Sequence, residues 1–408
     1  MNAGSLEGIK VIDLTRVLAG PWASQLLADY GADVIKIEHP VRGDDTRGWG
    51  PPWLRDEADK ETADSAYYLA ANRNKRSIAI DLSCAEGAEL VRALAVNADV
   101  LMENFRVGTM SRFGLGYSEL KTINPALIFC SISAYGQDSS RSREPGYDAM
   151  MQASGGLMSI TGEGDAGPQK VGVAVSDIMS GMYAATGILT ALVSRGLTGV
   201  GQHVDVPLYD AQVAWLANQN MNYLVGGENP GRLGTSHPNL VPYQTFSTSD
   251  GHIVLAVGTD RQFELLMRTV GLEQYSEDAR FSTNAKRVEN REALVVELAK
   301  VFKTKTTADW LQKLTEEGVP AGPINTIAQV FSEAYAKERE LVHQVKHRDA
   351  GVIPTVANPV RFSQTPVSYR KAPPVLGEHT IEVLRNDLGL TEKATQHLID
   401  SGVVKAAQ

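Results

Sequence analysis

Short apolar runs alternate with amphipathic stretches through the first third of the chain, and the spacing predicts alternating strands and helices. Residues 9–14 (IKVIDL) read as a buried strand, and residues 21–30 (PWASQLLADY) read as a helix opened by Gly20-Pro21 and closed by Gly31. Residues 34–38 (VIKIE) form the next strand. Connections this short between like elements imply parallel strands with a right-handed crossover. The unit repeats as strand 77–82, helix 85–95, strand 100–104, a helical region 108–121 and strand 127–133. Such repetition predicts an open, mostly parallel sheet with helices on both faces.

The pattern then changes. Residues 42–65 are rich in Gly, Pro and charge without periodicity, as expected of a lid or a partner-wrapping segment. Residues 211–223 read as a helix and 226–239 as a polar linker, and residues 245–257 as a β-hairpin turning at Asp250-Gly251. Helices follow at 262–270, 291–302 and 308–317, ending at Gly318. The expected organisation is a discontinuous large α/β domain, residues 1–225 and 323–408, with a smaller α+β domain at 226–322. A final helix is expected at 380–388.

A composition of 43% hydrophobic and 21% charged residues suits a globular chain, and a net charge of −9 argues against nucleic acid or an anionic membrane as partner. The two cysteines, Cys84 and Cys130, have no metal spacing and suggest a reducing compartment. The first residues show neither the basic nor the apolar region of a signal peptide, and no apolar stretch is long enough to span a bilayer. A cytoplasmic protein is expected.

The segment Val171-Gly-Val-Ala-Val-Ser-Asp-Ile-Met-Ser-Gly-Met182 carries the clearest candidate chemistry. A β-branched run leads to Asp177, and a small-residue helix begins at once. On local pattern alone, Asp177 or Ser176 is a helix N-cap. The other reading is a carboxylate delivered by a strand to the rim of the sheet, where α/β folds place their chemistry. Common cofactor motifs fail. Gly162-Glu-Gly-Asp-Ala-Gly167 has the dinucleotide glycine spacing, but Pro168 follows and no helix opens there. There is no P-loop, and His343 and His347, four apart on an expected helix, lack further zinc ligands. No metal or resident cofactor is expected.

Several segments together resemble the class III coenzyme A-transferase family, which includes formyl-CoA transferase, carnitine CoA-transferase and 2-methylacyl-CoA racemases. They are Leu14-Thr-Arg-Val-Leu-Ala-Gly-Pro21, Gly31-Ala-Asp-Val-Ile-Lys-Ile-Glu38, Gly43-Asp-Asp-Thr-Arg47, Asn72-Arg-Asn-Lys-Arg-Ser-Ile78 and Glu103-Asn-Phe105. Gly146-Tyr-Asp148 with Gln152, residues 172–181, Gly318-Val-Pro-Ala-Gly-Pro323 and Leu376-Gly-Glu-His379 continue the match in order along nearly the whole chain. The resemblance implies ring-like protomers threaded into an interlocked homodimer. It also implies that acyl-CoA and a carboxylic acid are the substrates and that Asp177 is the nucleophile. By the same resemblance, CoA is bound at Val17, Leu18, Ala19, His39, Ile80, Asn104, Phe105, Arg112 and Tyr135. The chain departs from the formyl-CoA transferase pattern at His39, Ser83 and Ser133, where that pattern has basic residues.

A racemase of this family carries histidine where this chain has Tyr147, and a phenol with a pKa near 10 is a poor base at neutral pH. The chemistry therefore favours transfer over α-proton exchange. Gly146-Tyr-Asp148, Val171-Gly-Val173, His237-Pro238 and Val241-Pro-Tyr-Gln244 resemble the branch that moves CoA from succinyl-CoA to dicarboxylates such as glutarate, itaconate or malate. Formyl-CoA:oxalate transfer is the other transferase reading. A dicarboxylate's distal charge needs a donor, and Arg47, Arg73 and His237, with Tyr147, are the candidates for that pocket.

Overall fold

The computed structural model describes residues 4–407. The chain forms two compact units, one built from residues up to Leu157 with Val171–Met221 and everything from Tyr335, the other from Met158–Lys170 and Asn222–Ala334.

The first unit holds β1 (Lys10–Asp13), β2 (Asp33–Glu38), β3 (Trp53–Arg55), β4 (Glu61–Ser65), β5 (Lys75–Ile80), β6 (Val100–Glu103), β7 (Ile128–Ser133) and β8 (His203–Pro207). Seven strands make its main sheet in the order β14-β5-β2-β1-β6-β7-β8, with β14 (Val404–Lys405) supplied by the C-terminal segment. All neighbours are parallel except β14, which runs antiparallel to β5. The order reverses at β1, which has β2 on one side and β6 on the other. That switch point opens a crevice beyond the carboxyl ends of the two strands.

Alternation along each strand feeds two cores. Val11, Val34, Met102 and Ile132 point to one face, where the helices Ala19–Asp29 and Val175–Thr198 cover them through Ala23, Leu27, Ala184 and Ile188. Ile12, Ile35, Leu101 and Phe129 point to the other, under Val91 and Leu94 of the helix Ala85–Val96 and Leu384 near the C-terminus. The first two helices approach closely because residue 181 is glycine. A Cβ there would lie 2.6 Å from the Ala19 carbonyl oxygen.

In the second unit, β9 (Tyr243–Ser247), β10 (His252–Ala256) and β11 (Ala321–Pro323) form an antiparallel sheet. The hairpin at Asp250-Gly251 closes through the Thr248 N–H to the Gly251 carbonyl at 2.9 Å. Phe263, Leu266, Leu298, Phe302 and Trp310 pack with Phe246 and Leu255 of the sheet. The unit extends past the expected 226–322. Arg232 draws the 158–170 segment in by donating to the carbonyls of Glu163, Gly164 and Ala166, a tie that hydrophobic periodicity does not register.

Several expected elements differ. Residues 42–65 carry a short 3₁₀ turn, Asp45–Gly48, and the β3–β4 hairpin. The helix expected at 211–223 breaks at Ala217, whose φ is +48°, into Leu208–Trp215 and Asn218–Gly226. His343 and His347 lie on β12 (Val342–His347), paired with β13 (Gly351–Val356), and not on a helix. The helix expected at 380–388 is a three-residue turn, Thr380–Glu382, continued by a π-helical turn, Val383–Asp387, and a further helix, Glu392–Asp400, follows it. Among the described residues no helix is long and apolar enough to cross a membrane, and no group of His, Cys, Asp and Glu could hold a metal ion.

Two arginines expected to face substrate are instead buried frame members. Arg73 meets Asp29 bidentately at 2.9 and 2.6 Å and donates to the Val356 carbonyl at 3.0 Å. Arg47 meets Glu38 bidentately at 2.8 Å and also holds Asp64, the Tyr68 hydroxyl and the Pro374 carbonyl. Loop composition gave no sign of these distant acceptors. Removing one partner of a buried pair strands the other charge, so Arg73→Met is expected to lower the unfolding free energy by about 3–5 kcal/mol in a denaturant titration. A substrate-facing arginine would instead leave the midpoint unchanged.

Candidate active site

A cleft of about 200 Å³ lies beyond the carboxyl ends of β1, β6 and β7, lined by Val17, Leu18, Ala19, Asn104, Phe105 and Asp177 among others. A second cleft of about 220 Å³ lies over the ends of β2 and β5 and is lined by His39, Ile80 and Ser83. Arg16, Asp45 and Phe105 line both.

The switch point is closed by one amide. Asn104 accepts the Arg16 N–H at 2.9 Å and donates to the Arg16 carbonyl at 2.8 Å, tying the end of β6 to the end of β1. With both ends of its side chain so used, Asn104 shapes the cleft wall. The Phe105 N–H is taken by Glu103 at 2.9 Å, and the Arg16 guanidinium sits 5.2 Å from the centre of the Phe105 ring.

Asp177 is the third residue of the helix Val175–Thr198, and residues 171–174 form no strand. The strand-to-helix placement expected from the β-branched run is therefore corrected: the segment's backbone is held by the side chains described next and not by a neighbouring strand. Nor is Asp177 or Ser176 the N-cap. That position is Ala174, which offers no side-chain acceptor. The capping is done from elsewhere by Asp148, at the start of the helix Asp148–Ser154. Its Oδ1 accepts the N–H groups of Ser176 at 2.7 Å and Asp177 at 3.4 Å, and its Oδ2 accepts from Gln152 at 2.7 Å. Gln152 in turn accepts the Val171 N–H at 2.9 Å, and Ser176 Oγ donates to Gln212 at 2.6 Å.

Because Asp148 takes the orphan helix amides, the Asp177 carboxylate is left without a donor among the described residues, although only 8% of the residue is exposed. Burial first, and then the neighbouring Asp148 carboxylate, push its pKa up to about 7. The same two carboxylates, after burial, help push the half-buried Tyr67 phenol up to about 12, so it stays protonated. Sequence reasoning missed Tyr67, which sits on the short helix Ala66–Leu69 just after the segment read as a loop. A buried, donor-free carboxylate pushed up to about 7 in a cleft is what marks Asp177 as the candidate functional group.

Other candidates fall elsewhere. Tyr147 lines the Asp177 cleft and is 63% exposed. Arg112 is an exposed charge whose guanidinium donates to Thr109 at 3.1 Å, and Tyr135 is buried beneath the Arg141 guanidinium, 3.7 Å from its ring centre. Neither lines either cleft. His237 belongs to the second unit, where its Nδ1 accepts the Asn239 N–H at 3.0 Å. The cations that do line the Asp177 cleft are Arg16, Arg106 and Arg143. Arg16 lies within one motif and Arg106 follows another, which is the signal that could have found them.

The family model described as CoA-transferase family III matches residues 6–380. The chain is 47% identical to a succinate–glutarate CoA-transferase of Agrobacterium fabrum, over 93% of this chain and 94% of that protein. It is 42% identical to the succinyl-CoA:glutarate CoA-transferase of Mus musculus, over 98% of this chain and 90% of that one. Among solved structures it is similar to a CAIB/BAIF family protein from Brucella suis, with a TM-score of 0.82 and 45% identity, covering 95% of this chain and 100% of that one.

A raised carboxyl pKa has a thermodynamic sign. Well below pH 4 Asp177 is protonated folded and unfolded, so it costs nothing; between about pH 4 and 7 the unfolded chain ionises while the folded one still holds its proton, so stability falls, and the loss is complete above about 7. Asp177→Asn is therefore expected to match the parent near pH 4 and to exceed it at pH 8. With the pKa raised from 3.8 to about 7, the gain is up to about 4 kcal/mol. Thermal melts at the two pH values check this, and an equal or lower melting point for the variant at pH 8 contradicts it.

Proposed function

The chain belongs to CoA-transferase family III, and from that premise we propose that it moves CoA from succinyl-CoA to a dicarboxylic acid, with Asp177 as the nucleophile. The single observation that carries the reading is the buried, donor-free Asp177 carboxylate facing a cleft at the sheet's switch point. The choice of donor and acceptor class rests on the names of the relatives, which are succinate– or succinyl-CoA:glutarate transferases.

The carboxylate attacks the thioester carbonyl, and the C–S bond breaks to give a mixed succinyl–aspartyl anhydride and CoA thiolate. The thiolate attacks the aspartyl carbonyl, releasing succinate and leaving an aspartyl-CoA thioester. The acceptor carboxylate then attacks that thioester, expelling the thiolate to form a second anhydride. Attack of the thiolate on the acceptor's carbonyl frees Asp177 and completes the product. Acyl activation is conserved at every step, so no nucleotide is consumed. The ionised carboxylate needs no general base, and its poor solvation raises its reactivity once it is deprotonated.

Arg16, Arg106 and Arg143 supply the positive lining that CoA phosphates and a distal carboxylate require in a chain of net charge −9. Cys130 is no competing nucleophile, because burial pushes its thiol well above the usual range. The protein acts as a homodimer. Met182, Tyr183, Val193 and Leu197 of the long helix are exposed, and a partner chain would cover such an apolar set.

A panel of acyl-CoA donors and free acids, with products resolved by mass, tests the reading. Transfer from succinyl-CoA to a four- to six-carbon dicarboxylate is expected, with activity lost in Asp177→Ala. Deuterium wash-in at the α-carbon of 2-methylacyl-CoA without any CoA transfer would overturn it in favour of racemisation. Retention of more than a few per cent of activity by the alanine variant would reject the nucleophile.

A further inference from the structure

At the first strand-to-helix turn Val17 has a φ of +71°, in the left-handed region, where a β-branched side chain crowds its own backbone. A glycine would take this conformation without strain, and a strained residue persists only where its surroundings over-determine it. The surroundings here are a buried ion pair. Asp44 Oδ1 accepts the Val17 N–H at 3.2 Å, and Oδ2 pairs with Lys36 Nζ at 2.9 Å. Lys36 Nζ also donates to the Thr15 carbonyl at 2.9 Å, so the pair grips the turn on both sides of Arg16.

Both side chains are 0% exposed, and salt and water weaken such a pair little. Asp44 is itself fixed. Its N–H donates to Glu38 at 2.9 Å, and its Oδ1 also accepts from the Thr46 N–H at 3.0 Å and the Thr46 hydroxyl at 2.8 Å. The residues that follow Val17 are Leu18 and Ala19, which open the Ala19–Asp29 helix and line the cleft with Asp177. Their N–H groups have no acceptor among the described residues, as the first amides of a helix should.

We propose that the buried Lys36–Asp44 pair is a positioning element of the thioester site, which holds Val17 in its left-handed conformation and thereby sets the free Leu18 and Ala19 amides in the cleft that contains Asp177. Released from Asp44, Val17 relaxes to negative φ and the Val17–Leu18 peptide turns, displacing those donors from the acyl-CoA. The role rests on the CoA-transfer reading and adds to it the part of the frame that shapes the binding turn. Neither side chain touches the substrate.

Steady-state kinetics on the full chain test it. Asp44→Ala is expected to raise KM for succinyl-CoA by about tenfold, equivalent to about 1.4 kcal/mol, with KM for the acceptor acid little changed. Adding Val17→Gly to Asp44→Ala is expected to recover most of that loss, because glycine holds the turn without the clamp. Should Asp44→Ala fail to fold, Lys36→Met with Asp44→Leu removes both charges and keeps the core filled, and the same rise in KM is expected. A parent enzyme that transfers no CoA overturns the reaction and this role together. An active parent whose variants lose melting temperature but keep KM, or a double variant no better than Asp44→Ala, overturns the clamp alone.

Discussion

Charges buried around the carboxyl ends of β1 and β2 and at the start of β5 must neutralise one another, and that requirement fixes the loops that form the clefts. Lys75 reaches Asp13 at 3.2 Å, Lys36 reaches Asp44 at 2.9 Å, and Arg47 joins Glu38 to Asp64. Asp13 also holds the Thr15 N–H at 2.9 Å, and Ser77 Oγ donates to Glu38 at 2.6 Å. A desolvated charge without its partner costs several kcal/mol, so the loop after β2 and the turn after β1 have little freedom to move independently. The network is polar where the sheet's two faces are apolar. It marks the edge at which the fold stops being core and becomes site.

Asp177 is governed by the opposite condition. Its neighbour Asp148 carries the same sign, and the hydrogen bonds that would have steadied Asp177 are directed to Asp148 instead. The helix terminus is therefore capped by one carboxylate while a second, close by, stays poorly solvated. Gly181 allows this helix to lie against Ala19, so the turn that opens one helix and the carboxylate on the other share one cleft. Position and reactivity of the carboxylate thus come from the same few residues.

Much of the large unit was legible, because buried parallel strands write continuous β-branched runs and amphipathic helices write their own period. IKVIDL, VIKIE and LIFCSIS all became strands, with ends shifted by a residue or two. The Asp177 segment was misread because VGVAV has a strand's composition, while Gln152 and Asp148, some twenty to thirty residues away, bind its backbone instead. Arg47 and Arg73 were misread for a related reason. A charged residue in a polar stretch reads as exposed, and its burial depends on acceptors such as the Pro374 and Val356 carbonyls, roughly three hundred residues further on. Periodicity carries local structure well and long-range polar pairing poorly. The family resemblance located Asp177 but not its protonation, which depends first on burial and then on the distance between two helices.

The central claim is that Asp177 is the group whose ionisation starts the reaction and that burial, with Asp148 adding to it, sets where it ionises. The pH dependence of kcat/KM for succinyl-CoA tests this most directly, since it reports the free enzyme's essential groups. An ascending limb near pH 7 is expected, and it should move to lower pH in Asp148→Asn, which removes the like charge but keeps an acceptor for the Ser176 amide. A profile flat from about pH 5 to 9, or a limb that stays in place in Asp148→Asn, would contradict the account.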